Sequence, residues 1–297
     1  MVASVAWAQQ SVPAIEVLHV RGNVYMLASD EGNSTLQIGE HRDNDGVLMV
    51  DTGNDKTAPL ILKEMARLTK KPLRYVINTS ADPDHTSGNG EIGNPGMVRD
   101  TGGPQGAQTN IYSQDNVLTR MSEKSANIPS HALPTITFEQ TKDFTFNGEA
   151  VQIFSVAPAH TDGDAIVYFR GADVISAGDV FLTTGYPVID LARGGDIQGE
   201  IKALNRIIDI AVPEITQEGG TMIIPGHGRL CDEADVVEYR DMVTILRDRV
   251  ADYIKQGKTL EQTKTARLTL DYDGHYSKPA WTGEMFIEAV YKSLPRK

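Results

Sequence analysis

The sequence predicts an α/β fold of buried strands that end in polar loops, interleaved with amphipathic helices. Three observations point there. Gly46–Asp51 and Leu73–Asn78 are short, nearly continuous apolar runs, the pattern of strands buried on both faces. Thr57–Leu68 and Ile197–Ile210 repeat their apolar residues at helical spacing, with Leu60, Leu62, Met65 and Leu68 on or near one face of the first. Two β-rich stretches are each followed by helices, which suggests two similar halves, and no low-complexity linker divides them.

In order, Ile15–Ala28 and Thr35–Gly39 read as strands, with a hairpin turn at Gly22-Asn23. Strand Gly46–Asp51 runs into Asp51-Thr-Gly53, helix Thr57–Leu68 follows, and strand Leu73–Asn78 leads into the polar loop 79–90. The stretch 88–106 is rich in glycine and carries Pro95 and Pro104; no packed element is expected there, only a long mobile loop. A short strand at Ile111-Tyr112 and a helix at Asp115–Ser122 come next. Thr135–Val156 holds two or three strands with a turn at Asn147-Gly148, and Ala165–Phe169 and Val174–Ala177 are strands. After helix Ile197–Ile210, strand Thr221–Ile224 runs into Pro225-Gly-His-Gly228, and Val236–Ile254 and Gly283–Leu294 are helices.

The chain has 297 residues with 28 Lys+Arg against 40 Asp+Glu, a formal net charge of −12. Such a balance disfavours a partner bound through its phosphate backbone, so no nucleic acid is expected. No run of about 18 apolar residues exists, so no membrane span is expected. One cysteine, Cys231, excludes an internal disulfide and a multi-thiolate zinc site. The opening residues are mildly apolar and end in Ala6-Trp7-Ala8, a small-x-small pattern. Residues 1–11 therefore read as a signal-peptide remnant or a disordered tail, and 12–297 as a single domain. The remnant reading places the protein in the periplasm or outside the cell.

Four polar clusters stand just after buried strands. They are Ser80-Ala-Asp82-Pro-Asp84-His85, His160 within Pro158–Asp164, Asp179 within Ala177–Val180, and His227 within Pro225–Gly228. Strand-end loops of a layered fold gather along one sheet edge, where sites are built. Three of the seven histidines and three carboxylates would converge there, a ligand set suited to zinc, iron or manganese. Each element alone has a plainer explanation. Asp84 could cap a helix starting near Thr86, a lone histidine after a strand is ordinarily a satisfied loop residue, and Gly-Asp is a common turn. The ordered combination carries the argument.

That combination resembles the metallo-β-lactamase superfamily, from about Val17 to Val290. Asp51-Thr-Gly53, Asn78-Thr79, Asp84-His85, Ala159–Asp164, Gly178-Asp179 and Pro225-Gly-His-Gly228 fall in that family's order. The resemblance implies a four-layer αββα sandwich with a metal site at one edge of two sheets. Where the family has the first two histidines of His-x-His-x-Asp-His, this chain has Ser80 and Asp82. The family's second metal site maps onto Asp84, His85, Asp179 and His227, all present. Its first maps onto Ser80, Asp82 and His160 with a share of Asp179, and is degraded or re-specified. Asp51 matches the buried acid that orients the ligands, though an Asx-turn would also explain it. Asp rather than Cys at position 179 separates the chain from one subclass of zinc β-lactamases, and Cys231 lies off the ligand pattern.

The resemblance implies a metal-dependent hydrolase. Hydroxide on the ion would attack a small-molecule ester, amide, lactam, thioester or phosphate, with Asp84 anchoring the metal and orienting the nucleophile. One or two zinc ions are expected, with Mn²⁺ or Fe²⁺ open for the oxygen-rich first site. Two alternatives remain: a degenerate member that only binds, and an iron-dependent redox enzyme. The 88–106 stretch could rim the cleft and Tyr186-Pro187 could line its mouth, but neither fixes a substrate. Asp82, Asp84 and Asp179 would crowd one cleft with Asp51 behind them, giving part of the chain's acidity a location.

Overall fold

Two β-sheets face each other, and helices cover their outer sides. The structure, a computed structural model, describes residues 14–39, 45–92, 109–217 and 219–295. Its first half comprises β1 (Glu16–Arg21), β2 (Val24–Ser29), β3 (Gly32–Ile38), β4 (Val47–Val50), α1 (Ala58–Leu68), β5 (Leu73–Ile77), α2 (Pro83–Thr86) and α3 (Asn89–Ile92). Next come β6 (Asn110–Gln114), α4 (Asp115–Met121), β7 (Ile136–Phe138), β8 (Thr141–Phe146), β9 (Glu149–Ser155), β10 (Ala165–Phe169) and β11 (Val174–Ser176). The chain continues with α5 (Ile197–Ile210), β12 (Met222–Ile224), α6 (Glu233–Lys255), α7 (Leu260–Thr265), α8 (Asp273–Tyr276) and α9 (Gly283–Ser293).

Strands β1 to β7 form one sheet in sequence order, and the other runs β12-β11-β10-β9-β8. Three apolar clusters define the layers. Leu48, Val50 and Ile77 from the first sheet meet Val151, Ile153, Val167 and Ile224 from the second. On the outside of the first sheet, Val47, Met49 and Val76 pack on Ile61 of α1. On the outside of the second, Ile166, Ile175 and Ile223 pack on Leu204 of α5, Val243 of α6 and Phe286 of α9. This is the αββα order. It explains the unbroken apolar run of β4: alternate residues face the inter-sheet core and the α1 layer, so both faces are buried.

Elements with strong periodicity form where the sequence places them, α5 with the same ends. Differences arise where side chains act on the backbone. Helix α6 starts three residues before Val236, because Asp232 and Asp235 form a capping box that satisfies its first N–H groups. Asp84 caps nothing: the residue before α2 is Asp82, and Asp84 is the second residue of that helix. The start of the 88–106 stretch is packed rather than loose, since Asn89 in α3 is fully buried. It bonds Thr52, Asn78 and the Ala132 carbonyl. Residues 93–106 and the proposed remnant 1–11 lie outside the described residues. Tyr186 does not line a mouth; it is buried, stacks on Phe286 and donates its hydroxyl proton to Asp273. No helix among the described residues is long and apolar enough to cross a membrane.

Candidate metal centre

The candidate ligands come from both sheets. Loops after β4 and β5 carry Asp51, Ser80, Asp82, Asp84 and His85; loops after β9, β11 and β12 carry His160, Asp179 and His227. Pro83 opens α2 with the backbone angle a first helical residue needs. The short helix then sets Asp84 and His85 at the seam between the sheets.

Asp84, His85, Asp179 and His227 each offer one ligand atom, and these atoms all lie within 4.8 Å of one another. Asp179 Oδ1 is 3.1 Å from His85 Nε2 and 3.5 Å from His227 Nε2. Asp84 Oδ2 is 3.0 Å from His227 Nε2. His85 Nε2 and Asp179 Oδ1 are both buried and have no hydrogen-bond partner. Buried polar atoms are normally satisfied, so two orphans aimed at a shared space fit a divalent ion between them.

The His85 ring is fixed from behind. Its Nδ1 lies 2.8 Å from Asp51 Oδ2 and 3.1 Å from the Thr79 hydroxyl. Asp51 also accepts from the Thr79 backbone N–H at 2.8 Å and from the Thr79 hydroxyl at 2.6 Å. A proton on Nδ1 directed at Asp51 leaves the Nε2 lone pair facing the cleft. Asp51 holds this position with φ +58, a left-handed conformation that Asp tolerates better than most residues. Its carboxylate engages Thr79 and His85, not the N–H groups of its own loop.

The electrostatics follow from crowding. Burial would raise Asp179, but the charges of His85, His160 and His227 hold it far below the usual carboxylate range. Burial likewise opposes the charged form of His85, yet Asp179 and Asp51 raise its pKa well above an ordinary imidazole. Asp84 is lowered: burial pushes it up, but the His227 hydrogen bond and the His85 charge outweigh that. His227 is raised, Asp84 and Asp179 overcoming its desolvation. An uncharged cleft would not produce this pattern. It reflects histidines and carboxylates that stabilise one another's charged forms.

Asp82, His160 and Asp179 form a second group. His160 Nδ1 donates to the Val188 carbonyl at 2.6 Å, and its Nε2 is 2.7 Å from Asp82 Oδ2. Ser80 is buried, and its hydroxyl oxygen accepts from the Asp82 N–H at 3.0 Å, shaping the turn into α2. The other Asp82 oxygen accepts from Arg193 Nη1. Cys231 is buried, its sulfur within 3.5 Å of Arg229.

Several residues that brace the site carried no mark in the sequence. Asn33 donates to the Pro225 and Gly228 carbonyls at 2.9 and 3.0 Å, clamping the loop of His227. Thr79 links Asp51 to His85. Arg193 has no signal in the sequence, because its partner Asp82 lies 111 residues away. Asn33 and Arg193 become visible only through tertiary contact. Asn78-Thr79 belongs to the ordered motif set, but the link that Thr79 makes between Asp51 and His85 shows only in the fold.

A family model described as the metallo-beta-lactamase superfamily matches residues 30–227. A linear primary-alkylsulfatase from Pseudomonas sp. (strain ATCC 19151) is 20% identical over 260 residues, covering 73% of this chain and 47% of that protein. The solved structure of the stereoselective inverting sec-alkylsulfatase Pisa1 from Pseudomonas sp. superposes with a TM-score of 0.70 at 15% identity. That match covers 94% of this chain and 50% of that one. A metallo-beta-lactamase from Pontibacter korlensis superposes with a TM-score of 0.58 at 16% identity, covering 77% of this chain and 99% of that one. The chain thus spans about half the length of the alkylsulfatases it matches.

Proposed function

The chain belongs to the metallo-β-lactamase superfamily, and from that membership we propose that it is a metal-dependent hydrolase of a small-molecule ester, amide, lactam or thioester. Alkyl sulfate esters join that range, because the sec-alkylsulfatase structure covers 94% of the chain against 77% for the lactamase structure. The observation that carries the proposal is the pair of buried, unpartnered atoms His85 Nε2 and Asp179 Oδ1, 3.1 Å apart.

Asp84, His85, Asp179 and His227 would hold the ion. Zinc is the first choice, since two imidazoles and two carboxylates suit it. A divalent ion there would supply Lewis acidity and bring the pKa of coordinated water towards ~7. The chain's own residues divide the remaining work. His85 is 2% exposed and Asp179 11%, so these two anchor the floor. Asp84 at 27% and His227 at 25% face the opening, so substrate reaches the site from their side. Asp84 is the carboxylate placed to orient the attacking water and accept its proton.

Elemental analysis of the purified protein and a panel of nitrocefin, lactone, thioester, phosphodiester and alkyl sulfate substrates test this. Asp84→Ala should lose both metal retention and hydrolysis while keeping its fold. A variant with full metal and full activity rejects the assignment.

A further inference from the structure

The half of the cleft lined by Asp82, His160 and Asp179 already contains a fixed positive charge. Arg193 Nη1 donates to Asp82 Oδ1, and Arg193 Nε donates to Asp190 Oδ2 at 2.7 Å. Asp190 also accepts from the N–H groups of Ala192 and Arg193, capping the single 3-10 turn 191–193. Gly194 closes that turn at φ +81. At Gly195 a Cβ would lie 2.3 Å from the His160 carbonyl oxygen, so the turn sits directly against the His160 loop. The guanidinium is therefore aimed at Asp82 from a pinned backbone.

This half is correspondingly poor in free donors. One Asp82 oxygen takes Arg193 and the other takes His160 at 2.7 Å. The Ser80 oxygen is engaged by the Asp82 N–H. Asp179 offers Oδ2 only at 3.9 Å from His160 Nε2, while its Oδ1 faces His85 and His227. A guanidinium cannot shed its proton to become a ligand, and it repels a neighbouring cation. Three donors on this side, with both Asp82 oxygens engaged, compare with four on the other side of Asp179, where His85 Nε2 and Asp179 Oδ1 have no hydrogen-bond partner.

We infer that Arg193 takes the place of a second cation, so that the chain holds one tightly bound divalent ion, between Asp84, His85, Asp179 and His227. The inference rests on the metal centre proposed above. It gives the Ser-x-Asp departure from the family motif a function: Asp82 replaces an imidazole because its partner is a guanidinium. Arg193 also lines a cavity of about 800 Å³ together with Arg120, His131, Asp55, Glu91 and Glu123.

The test is the number of ions retained per chain after equilibration at micromolar free Zn²⁺ or Co²⁺, with cobalt absorption as a second readout. Wild type should hold one. Arg193→Gln, which keeps length but removes the charge, should hold two, and adding His160→Ala should return it to one. Arg193→Lys, which keeps the charge, should hold one and guards against mere loss of structure. Two tight ions in wild type overturn the inference and leave the metal centre standing. A folded Arg193→Gln that still holds one also overturns it. No ion in wild type overturns the metal centre itself.

Discussion

Asp51 and His85 are in direct contact, Oδ2 to Nδ1, at 2.8 Å, and both are almost fully buried. The carboxylate accepts from His85 and twice from Thr79, so every bond to it has the other group donating. Asp51→Asn keeps the shape but turns one acceptor into a donor that must face Thr79 or His85. Metal affinity should fall by roughly 10–100-fold, the usual cost of losing a ligand's orienting partner. Competition against a chromophoric chelator measures it, and unchanged affinity would mean that Asp51 does not orient the ring.

Gly226 is required for space. A Cβ there would lie 2.4 Å from Asp179 Oδ1 and 2.7 Å from the Gly178 carbonyl carbon. The second neighbour is backbone and cannot swing away. Gly226→Ala should therefore displace Asp179, abolish metal retention and cost about 1–3 kcal/mol of stability. Thermal melts and metal content check both effects; a variant that keeps its ion and its melting temperature refutes the argument.

Metal removal should destabilise the protein. Asp84 and Asp179 share one group, and their repulsion is relieved by a bound cation. An ion present at 100 times its dissociation constant adds about 2.7 kcal/mol. Melting with excess chelator should fall several degrees below melting with metal at neutral pH. Superimposable curves would count against the cluster.

Glu200 offers a pH test at a carboxyl that is not itself a candidate ligand. It is fully buried in α5, and neither carboxylate oxygen has a hydrogen-bond partner. Burial, with the charge of Asp164, holds its pKa well above the usual carboxylate range. The folded protein keeps the proton that the unfolded chain releases above about pH 4.5. Unfolding then sheds a proton, so this group lowers stability as pH rises from the unfolded pKa to the folded one. Glu200→Met should raise the melting temperature at pH 7 and change it far less at pH 4. A variant less stable at pH 7 than at pH 4, relative to wild type, reverses the sign and rejects the account.

The layered fold was legible because its strands and helices carry strong periodicity and each buried strand ends in a polar loop. Asp84, His85, Asp179 and His227 were legible as an ordered set, since each follows a strand at the same sheet edge. What stayed hidden depends on contacts across the fold. The capping box of Asp232 and Asp235 moves the start of α6 outside its apolar stripe. Tyr186 follows Asp179 closely in sequence, but Phe286 and Asp273 hold it in the core. Arg193 belongs to a turn with no metal-site signature, and its meaning appears only when Asp82 is beside it.

The placement of the four candidate ligands at the seam has a consequence for how the chain reaches its native state. Asp84 and His227 come from different sheets and are 143 residues apart in sequence. Neither sheet alone carries the full set, so the ion's coordination shell closes only once the two have docked. Contacts of such long sequence separation form late, because the chain entropy lost in closing the loop comes before any return from the contact. Metal capture during refolding should therefore report the docking step itself, and a bound ion would act as a late fastener between two halves rather than as a seed for either.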